Sequence, residues 1–302
     1  MHSVRMLAWD DLRYFLAFAR AGSMQAAAKA LRVNQSTVQR RIADLEKNFG
    51  RPLVERHLTS YRLTALGETL TPAAEDIETA VAAFERRLAA CDNSLTGTLR
   101  VTCGSILAER LRRTTLIDAF QARHPGLRVE LVISDRFLDL SKGEADVAIR
   151  LGEPKDQSLV GRKIGEAPWA VYASRAYVTR HGRPEGPDDI ENHFVIACGN
   201  SIAHYPGARW LQLVAPRATI ASRADNWPGL VLAVKSGAGL AALLVFQAEN
   251  EDELVRVIDN IGVVSPYYLL MHRDLQHTPR VRAFADFVAS EIKSFRSLVS
   301  RS

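Results

Sequence analysis

The sequence predicts a mixed α/β protein in three parts: a small helical head, one long helix, and a larger body of two α/β lobes. Three observations predict it. Positive charge is concentrated over residues 1–63, which hold 11 Lys and Arg against 5 Asp and Glu, in a chain whose formal net charge is +5. Apolar residues from Leu66 to Cys91 recur at steps of three and four, the spacing of a helix that packs along another helix. From Thr98 onward, short apolar strands alternate with helix-length segments, as in α/β architecture.

The bulk properties fit this division. A chain of 302 residues has room for two or three domains, given domains of roughly 100–150 residues. The 47% apolar and 24% charged composition is that of a folded globular protein. The opening stretch MHSVRMLAWDDLRYF has no apolar core or cleavage pattern of a secretion signal. The longest apolar run, Leu230 to Phe246, is interrupted by Lys235, Ser236, Gly237 and Gly239, so it reads as a buried core segment and no membrane partner is expected. Cys91, Cys103 and Cys198 are widely spaced, without a CxxC pair. They read as reduced thiols of a cytoplasmic protein, with a redox switch left open. No histidines pair at metal-ligand spacing; His193, His204, His272 and His277 read as loop residues, and no metal is expected. Nucleophile-elbow, zinc-protease and phosphate-loop motifs are absent, so no catalytic residues are expected. Gly237-x-Gly239, without a third glycine, reads as a tight junction and not a dinucleotide site.

The head is legible residue by residue. Leu12, Phe15, Leu16 and Ala19 make one face of a first helix. Ala21-Gly22-Ser23 ends it, and Ser23 is placed to cap an alanine-rich second helix, Met24 to Leu31, whose small side chains allow close approach. After the turn Arg32-Val33-Asn34, with Asn34 as a cap, a third helix buries Val38, Ile42, Leu45 and Phe49 and stops at Gly50 and Pro52. Two short helices with a tight turn between them form a helix-turn-helix. The outer face of the third helix carries Gln35, Ser36, Gln39 and Arg40, with Thr37 and Arg41 at its edges. Arg pairs with guanine, Gln with adenine, and Ser with a base or a phosphate, so this face can read a DNA major groove. Two short strands around the polar tip 57–61 then make a wing, with Arg56 and Arg62 as its cations for the phosphate backbone.

Residues 64–93 form the long helix, with Pro72 near its start; its heptad-like face predicts dimerisation. Two-fold symmetry then sets two recognition helices about one DNA turn, or a multiple, apart. A polar hinge, Asn93 to Gly97, leads into the body, residues 94–302. Strands are expected at 98–103, 127–134 and 145–151, with helices at 106–122 and 137–143, as an open parallel sheet with helices on both faces. A second α/β unit carries strands near 168–173, 194–198 and 241–245, followed by a late strand at 265–271 and a final helix from Pro279 to Phe295. Lobe I is thus about 98–164 with 265–302, and lobe II about 165–264.

Open α/β sheets bind ligands at the carboxyl ends of their strands. Thr102, Ser105, Ser134 and Arg150 stand at such ends in lobe I, and Asn200 and Ser201 in lobe II. Arg150 is suited to a bidentate bond with a carboxylate, which a ligand or the chain's own Asp135 or Glu153 could supply. The residues alone leave two readings: an operator-binding regulator that senses a small molecule, or a small-molecule binding protein or enzyme whose basic head docks to a partner.

The stretch DLRYFLAFARAGSMQAAAKALRVNQSTVQRRIADLEKNFGRPLVER, residues 11–56, with LTALGETL at 63–70, resembles the LysR-type transcriptional regulators. SDRFLDLSKGEADVAIRLGE at 134–153 and VRAFADFVASEI at 281–292 resemble their sensor domain. The resemblance implies a winged helix-turn-helix on double-stranded operator DNA and two lobes like those of periplasmic binding proteins, joined by two crossover strands. It implies an inducer in the interlobe cleft, here possessing an anionic group if Arg150 holds it, and no other cofactor. It also implies homodimers that pair into tetramers, with RNA polymerase as a further candidate contact. Departures from the family pattern are Asn34 where Ser is usual, a wing tip without its frequent arginine, and Gly104 where many members carry a hydroxyl.

Overall fold

A computed structural model of the chain describes residues 7–291 and Lys293, apart from residues 58, 59, 92, 93, 113, 155 and 250. It divides into two compact units, one ending at Glu85 and the other beginning at Arg86. The long helix runs through the division. The tip residues Leu58 and Thr59, the hinge residue Asn93 and the end of the final helix lie outside the described residues.

In the first unit, α1 (Trp9–Ala21), α2 (Met24–Leu31) and α3 (Gln35–Phe49) are followed by the hairpin β1 (Val54–His57) and β2 (Ser60–Leu63) and by α4 (Ala65–Cys91). Ser23 caps α2 by accepting from the Ala26 amide, and Gly50 closes α3 in the left-handed conformation. Phe18, Met24, Ala27, Ala28, Val38 and Ile42 form one buried cluster; Leu12, Phe15, Leu16, Leu45, Leu53 and Ala74 form another. Alanines at 27 and 28 let α2 sit close to its neighbours. Two expectations are corrected. Asn34 occupies the cap position of α3, but its side chain makes no capping bond. Phe49 is 41% exposed, because the clusters that bury α3 end at Leu45.

α4 is a 27-residue helix with Pro72 inside it. Leu66 and Leu70 pack on the second cluster. Arg20 of α1 holds the same helix through ion pairs to Glu75 and Glu78 at 3.2 and 2.5 Å. Farther along, Ala73, Ile77, Ala80, Phe84 and Leu88 line one exposed face. Phe84 is 68% exposed, a large uncovered aromatic surface.

The second unit contains β3 (Gly97–Cys103), α5 (Ser105–Arg112), α6 (Leu116–Arg123), β4 (Leu127–Ile133), β5 (Val147–Leu151), β6 (Leu159–Ser174), α7 (Arg175–His181), β7 (Phe194–Cys198), α8 (Pro206–Val214), β8 (Thr219–Ala224), α9 (Trp227–Lys235), β9 (Ala241–Leu244), α10 (Val245–Ala248), β10 (Leu254–Ile258), β11 (Val264–His272) and α11 (Pro279–Ser290). The main sheet has the order β10-β6-β11-β5-β3-β4, with β9 also on β6, and β7 pairs with β8. β4, β3 and β5 are parallel, as expected. The sheet as a whole is mixed, because β11 returns antiparallel between β5 and β6. Strand direction is invisible in a run that is buried on both faces, since both directions give the same apolar pattern.

Other expectations are corrected by local chemistry. The helix expected at 106–122 is two helices: Thr114 folds back on the Leu111 carbonyl with both amide and hydroxyl, which ends α5. The helix expected at 137–143 is a single 3-10 turn, Leu140–Lys142, nucleated by Asp139 and stopped by Gly143. The strand expected at 168–173 is the 16-residue β6, and β8 and β10 were not anticipated. His193 and His272 are buried rather than in open loops; His193 bonds the Tyr177 hydroxyl, and His272 accepts from the Asp274 amide.

Gly67 shows how tightly the first unit is closed. A Cβ there would stand 2.3 Å from the Leu53 carbonyl oxygen at the start of the wing. Gly67→Ala should therefore destabilise the N-terminal unit by about 1–3 kcal/mol, read as an earlier urea transition in helical circular dichroism. An unchanged midpoint would mean that the wing root shifts without cost.

Candidate functional site

The first candidate surface is the outer side of α3. Val38, Ile42 and Leu45 fix the buried face, which turns Gln35, Ser36 and Arg40 to solvent and leaves Thr37 and Gln39 half-buried. No partner within the described residues engages Arg40, so its guanidinium is available to a base edge. Arg41 is different. It bonds Asp11 at 3.0 Å, reaches Asp10 at 3.5 Å and lies over the Tyr14 ring. The hydrogen bond to Asp11 raises its pKa, and its role is to tie α3 to α1. It leaves the reading face to Arg40.

The wing carries Arg56 opposite Tyr61 and Arg62 opposite Glu55. Neighbouring ladder positions alternate faces, so the two arginines project from opposite sides of the ribbon. Both are exposed, and Arg62 reaches the His57 ring at 3.1 Å. One anchor escaped the sequence reading: Glu46, on α3, accepts the Leu53 and Val54 amides on one carboxylate oxygen, both at 2.8 Å. A glutamate between the last buried apolar residue of the helix, Leu45, and its closing glycine is the signal for it.

The second candidate site is a recess in the other unit. It is lined by Gly104 after β3, Ser134 and Asp135 after β4, Ile149 to Leu151 of β5, and the rings of Tyr205, Trp227 and Tyr267. Its free volume is about 30 Å³, room for a few atoms at most without movement of its walls. Ser105 is placed beside it, with its amide and hydroxyl both donating to Asp135 at 2.8–2.9 Å. Asp135 is thereby committed to α5. Neither it nor Glu153 forms an ion pair with Arg150 among the described residues.

Arg150 is 6% exposed. One guanidinium nitrogen donates to the Arg136 carbonyl at 2.9 Å, and the group lies 4.9 Å from the Phe137 ring centre. The other terminal nitrogen is buried without a hydrogen-bond partner among the described residues. Burial is the main cause that pushes its pKa below the usual value. Ser134 bonds the Arg136 carbonyl as well, and shares the recess wall. Thr102 is fully buried in β3, with a hydroxyl that has no partner among the described residues, and it does not line the recess. Asn200 and Ser201 are exposed on the turn after β7, away from the recess wall. Tyr205, Trp227 and Phe137 were missed by the sequence reading; the capped start Asn226-Trp227-Pro228 was the available sign that a ring stands at a helix N-terminus.

Cys103 and Cys198 are free thiols, and burial pushes each up to about 11. At neutral pH both are protonated and poor nucleophiles. Among the described residues no cluster of His, Cys, Asp and Glu could hold a metal ion, and no helix is long and apolar enough to cross a membrane.

A helix-turn-helix with a free arginine on its second helix, on the same chain as a two-lobed α/β unit with a buried arginine in its recess, defines a ligand-responsive DNA-binding protein. Residues 9–68 match the bacterial regulatory helix-turn-helix proteins of the lysR family, and residues 92–293 match the LysR substrate binding domain. The chain belongs to the LysR family of transcriptional regulators, with a DNA-binding helix-turn-helix and an effector-binding domain. It is similar to the HTH-type transcriptional regulator CrgA of Neisseria meningitidis serogroup C, 27% identical over 94% of this chain and 96% of that one. The solved structure of CrgA from Neisseria meningitidis superposes with a TM-score of 0.56 at 26% identity, covering 95% of this chain and 99% of that one. The full-length Vibrio cholerae virulence activator AphB shares the fold, with a TM-score of 0.63 at 24% identity over 94% and 99% of the two chains.

A half-satisfied buried guanidinium should cost stability. Arg150→Met keeps the bulk and removes the charge, and should stabilise the ligand-free protein by about 1 kcal/mol or more. Differential scanning calorimetry reads this as a raised midpoint of the effector-binding unit; a lowered midpoint would assign Arg150 a structural role.

Proposed function

We propose that the protein binds operator DNA through α3 as a homodimer that pairs into a tetramer, and that a small carboxylate-bearing effector on Arg150 sets its action on transcription. Gln35, Ser36, Thr37, Gln39 and Arg40 read the groove, and Arg56 and Arg62 hold phosphates. The dimer is formed along α4, whose exposed face supports a helix-to-helix seam: Ile77, Phe84 and Leu88 leave large apolar surfaces uncovered. The protein acts in the cytoplasm without a catalytic step or a cofactor, and RNA polymerase is its partner at the promoter.

The observation that carries the effector reading is the unpaired, buried nitrogen of Arg150. A carboxylate supplies both the missing acceptor and the missing counter-charge. Ser134 and the aromatic rings of the recess wall hold the rest of the ligand, with Ser105 behind them. Thr102, Asn200 and Ser201, also taken from the sequence, contribute only if the lobes rearrange. Such a rearrangement is required, because the recess has room for little more than a single small group. A ligand that parts its walls favours one lobe arrangement over another, which is the differential affinity that a response needs.

Three measurements test this. Arg40→Ala should cost about 1–3 kcal/mol of operator binding and relax preference at one base position; equal loss on operator and random DNA would remove the base-reading role. Arg150→Met should keep operator affinity without effector and abolish the dose response of a promoter reporter; a normal response would move the effector site elsewhere. Phe84→Glu puts an unpaired charge into the proposed seam and should give a monomer in sedimentation with a folded sensor; a variant that stays dimeric would place the interface off α4.

A further inference from the structure

A second and roomier pocket shares a wall with the Arg150 recess. It has a free volume of about 320 Å³ and lies between α5, which follows β3, and the pair α9 and α10. Ile106, in the first turn of α5, lines both pockets. Pro228, Val231, Leu232 and Phe246 make the rest of its apolar surface, and Leu232 is 68% exposed at its rim. The volume stands at the lower end of the range for small-molecule sites.

The polar groups around it are specific about what they accept. Lys235 is held between Glu251 at 2.7 Å and Glu253 at 2.6 Å. Glu109 is paired with Arg112 at 2.7 Å, and the Arg110 guanidinium lies 5.9 Å from the Phe246 ring centre. Every rim charge is therefore engaged within the chain, and an ionic ligand would have to compete with those contacts. Gln247 differs: its amide oxygen has no hydrogen-bond partner among the described residues and is closed to water, so the side chain turns toward the pocket to offer it to a ligand. An unmade buried bond of this kind is costly, so a ligand that completes it gains affinity. The amide could be turned to present its nitrogen instead. A hydroxyl both donates and accepts, so it satisfies either orientation.

We propose that this pocket is a second ligand site of the regulator, and that it takes an uncharged, mostly apolar alcohol whose hydroxyl bonds Gln247. The site is independent of the carboxylate reading, since it does not use Arg150.

The test uses the full chain with labelled Ile, Leu and Val methyl groups and 2-phenylethanol as the probe. The alcohol should shift the Ile106, Val231 and Leu232 methyl signals in a saturable way, whereas phenylacetate and ethylbenzene should bind the pocket at least several-fold more weakly. Leu232→Trp, at an exposed position, fills the mouth and should weaken binding tenfold or more; Gln247→Leu should weaken the alcohol several-fold and leave ethylbenzene unchanged. Arg150→Met should leave the alcohol's affinity as it is, which separates this site from the recess. No methyl shift up to the solubility limit of the alcohol overturns the proposal. So does equal binding of alcohol and hydrocarbon, or an alcohol affinity that is lost in Arg150→Met. A changed sedimentation coefficient in Leu232→Trp would reassign the pocket to an interface between copies. Should that variant fail to fold, the Gln247→Leu comparison still decides.

Discussion

β6 and β11 run antiparallel from the pair Leu159–His272 to the pair Pro168–Val264, and both lobes of the effector-binding unit hang from this ladder. Beyond Pro168, β6 continues alone into the second lobe, where it pairs with β9 and β10. On the other side, β11 hands the first lobe its β5 edge. The crossing is close enough that Gly161 cannot carry a side chain: a Cβ there would stand 1.9 Å from the Leu269 carbonyl oxygen. The Trp169 indole, buried on β6, donates to Ser265 on β11 at 2.8 Å and fixes the point where the strands change partners. Tyr267, on the same ladder, forms part of the recess wall. The position of the recess, the placing of Arg150 on the adjoining strand and the mutual approach of α5 and α9 all follow from that register.

Buried polar groups normally find partners, and the exceptions are informative. Arg150 and Gln247 both lie on pocket walls between the lobes, and each leaves a buried polar atom unbonded. Elsewhere, Arg86 is buried but is held by Asp274 and the Ser141 carbonyl, and Trp169 has Ser265; Arg41 and Arg280 each leave a buried Nε unbonded off the pockets, but both side chains are only half-buried, whereas Arg150 is 6% exposed. Thr102 and Thr278 show that an unpaired hydroxyl also occurs off the pockets. A guanidinium is a much costlier exception than a hydroxyl, because its charge is desolvated too. Near-complete burial together with an unbonded terminal nitrogen is what makes Arg150 the candidate binding group.

The head could be read from the sequence almost to the residue, because its signals are local. Ser23, Gly50 and the stripe Val38, Ile42, Leu45 each declare a helix boundary or face within one or two turns. The body was legible in its strands and less so in its order. β4, β5, β7, β9 and β11 show as apolar runs, but nothing in β11 reveals that it lies antiparallel between β5 and β6, a pairing made across a hundred residues. β8, with the burial-poor sequence Thr219 to Ala224, has no apolar alternation to detect. At the sites, Arg40 and Arg150 could be singled out by residue type and strand or helix position. The commitment of Arg41 to Asp11 and of Asp135 to Ser105 could not, because both depend on which side chains meet in space. The rings that close the recess come from three separate segments for the same reason.

Glu46 joins the end of α3 to the first residues of the wing through two short bonds to one oxygen. Its effect is on entropy. The root of the wing has lost its freedom when the chain folds, so a DNA duplex meets a helix and a ribbon base that are already in register. Little ordering is left for the moment of association, and the affinity of the head is spared that loss. A head of this kind discriminates between sequences by fit, since it has few alternative shapes with which to accommodate a wrong one.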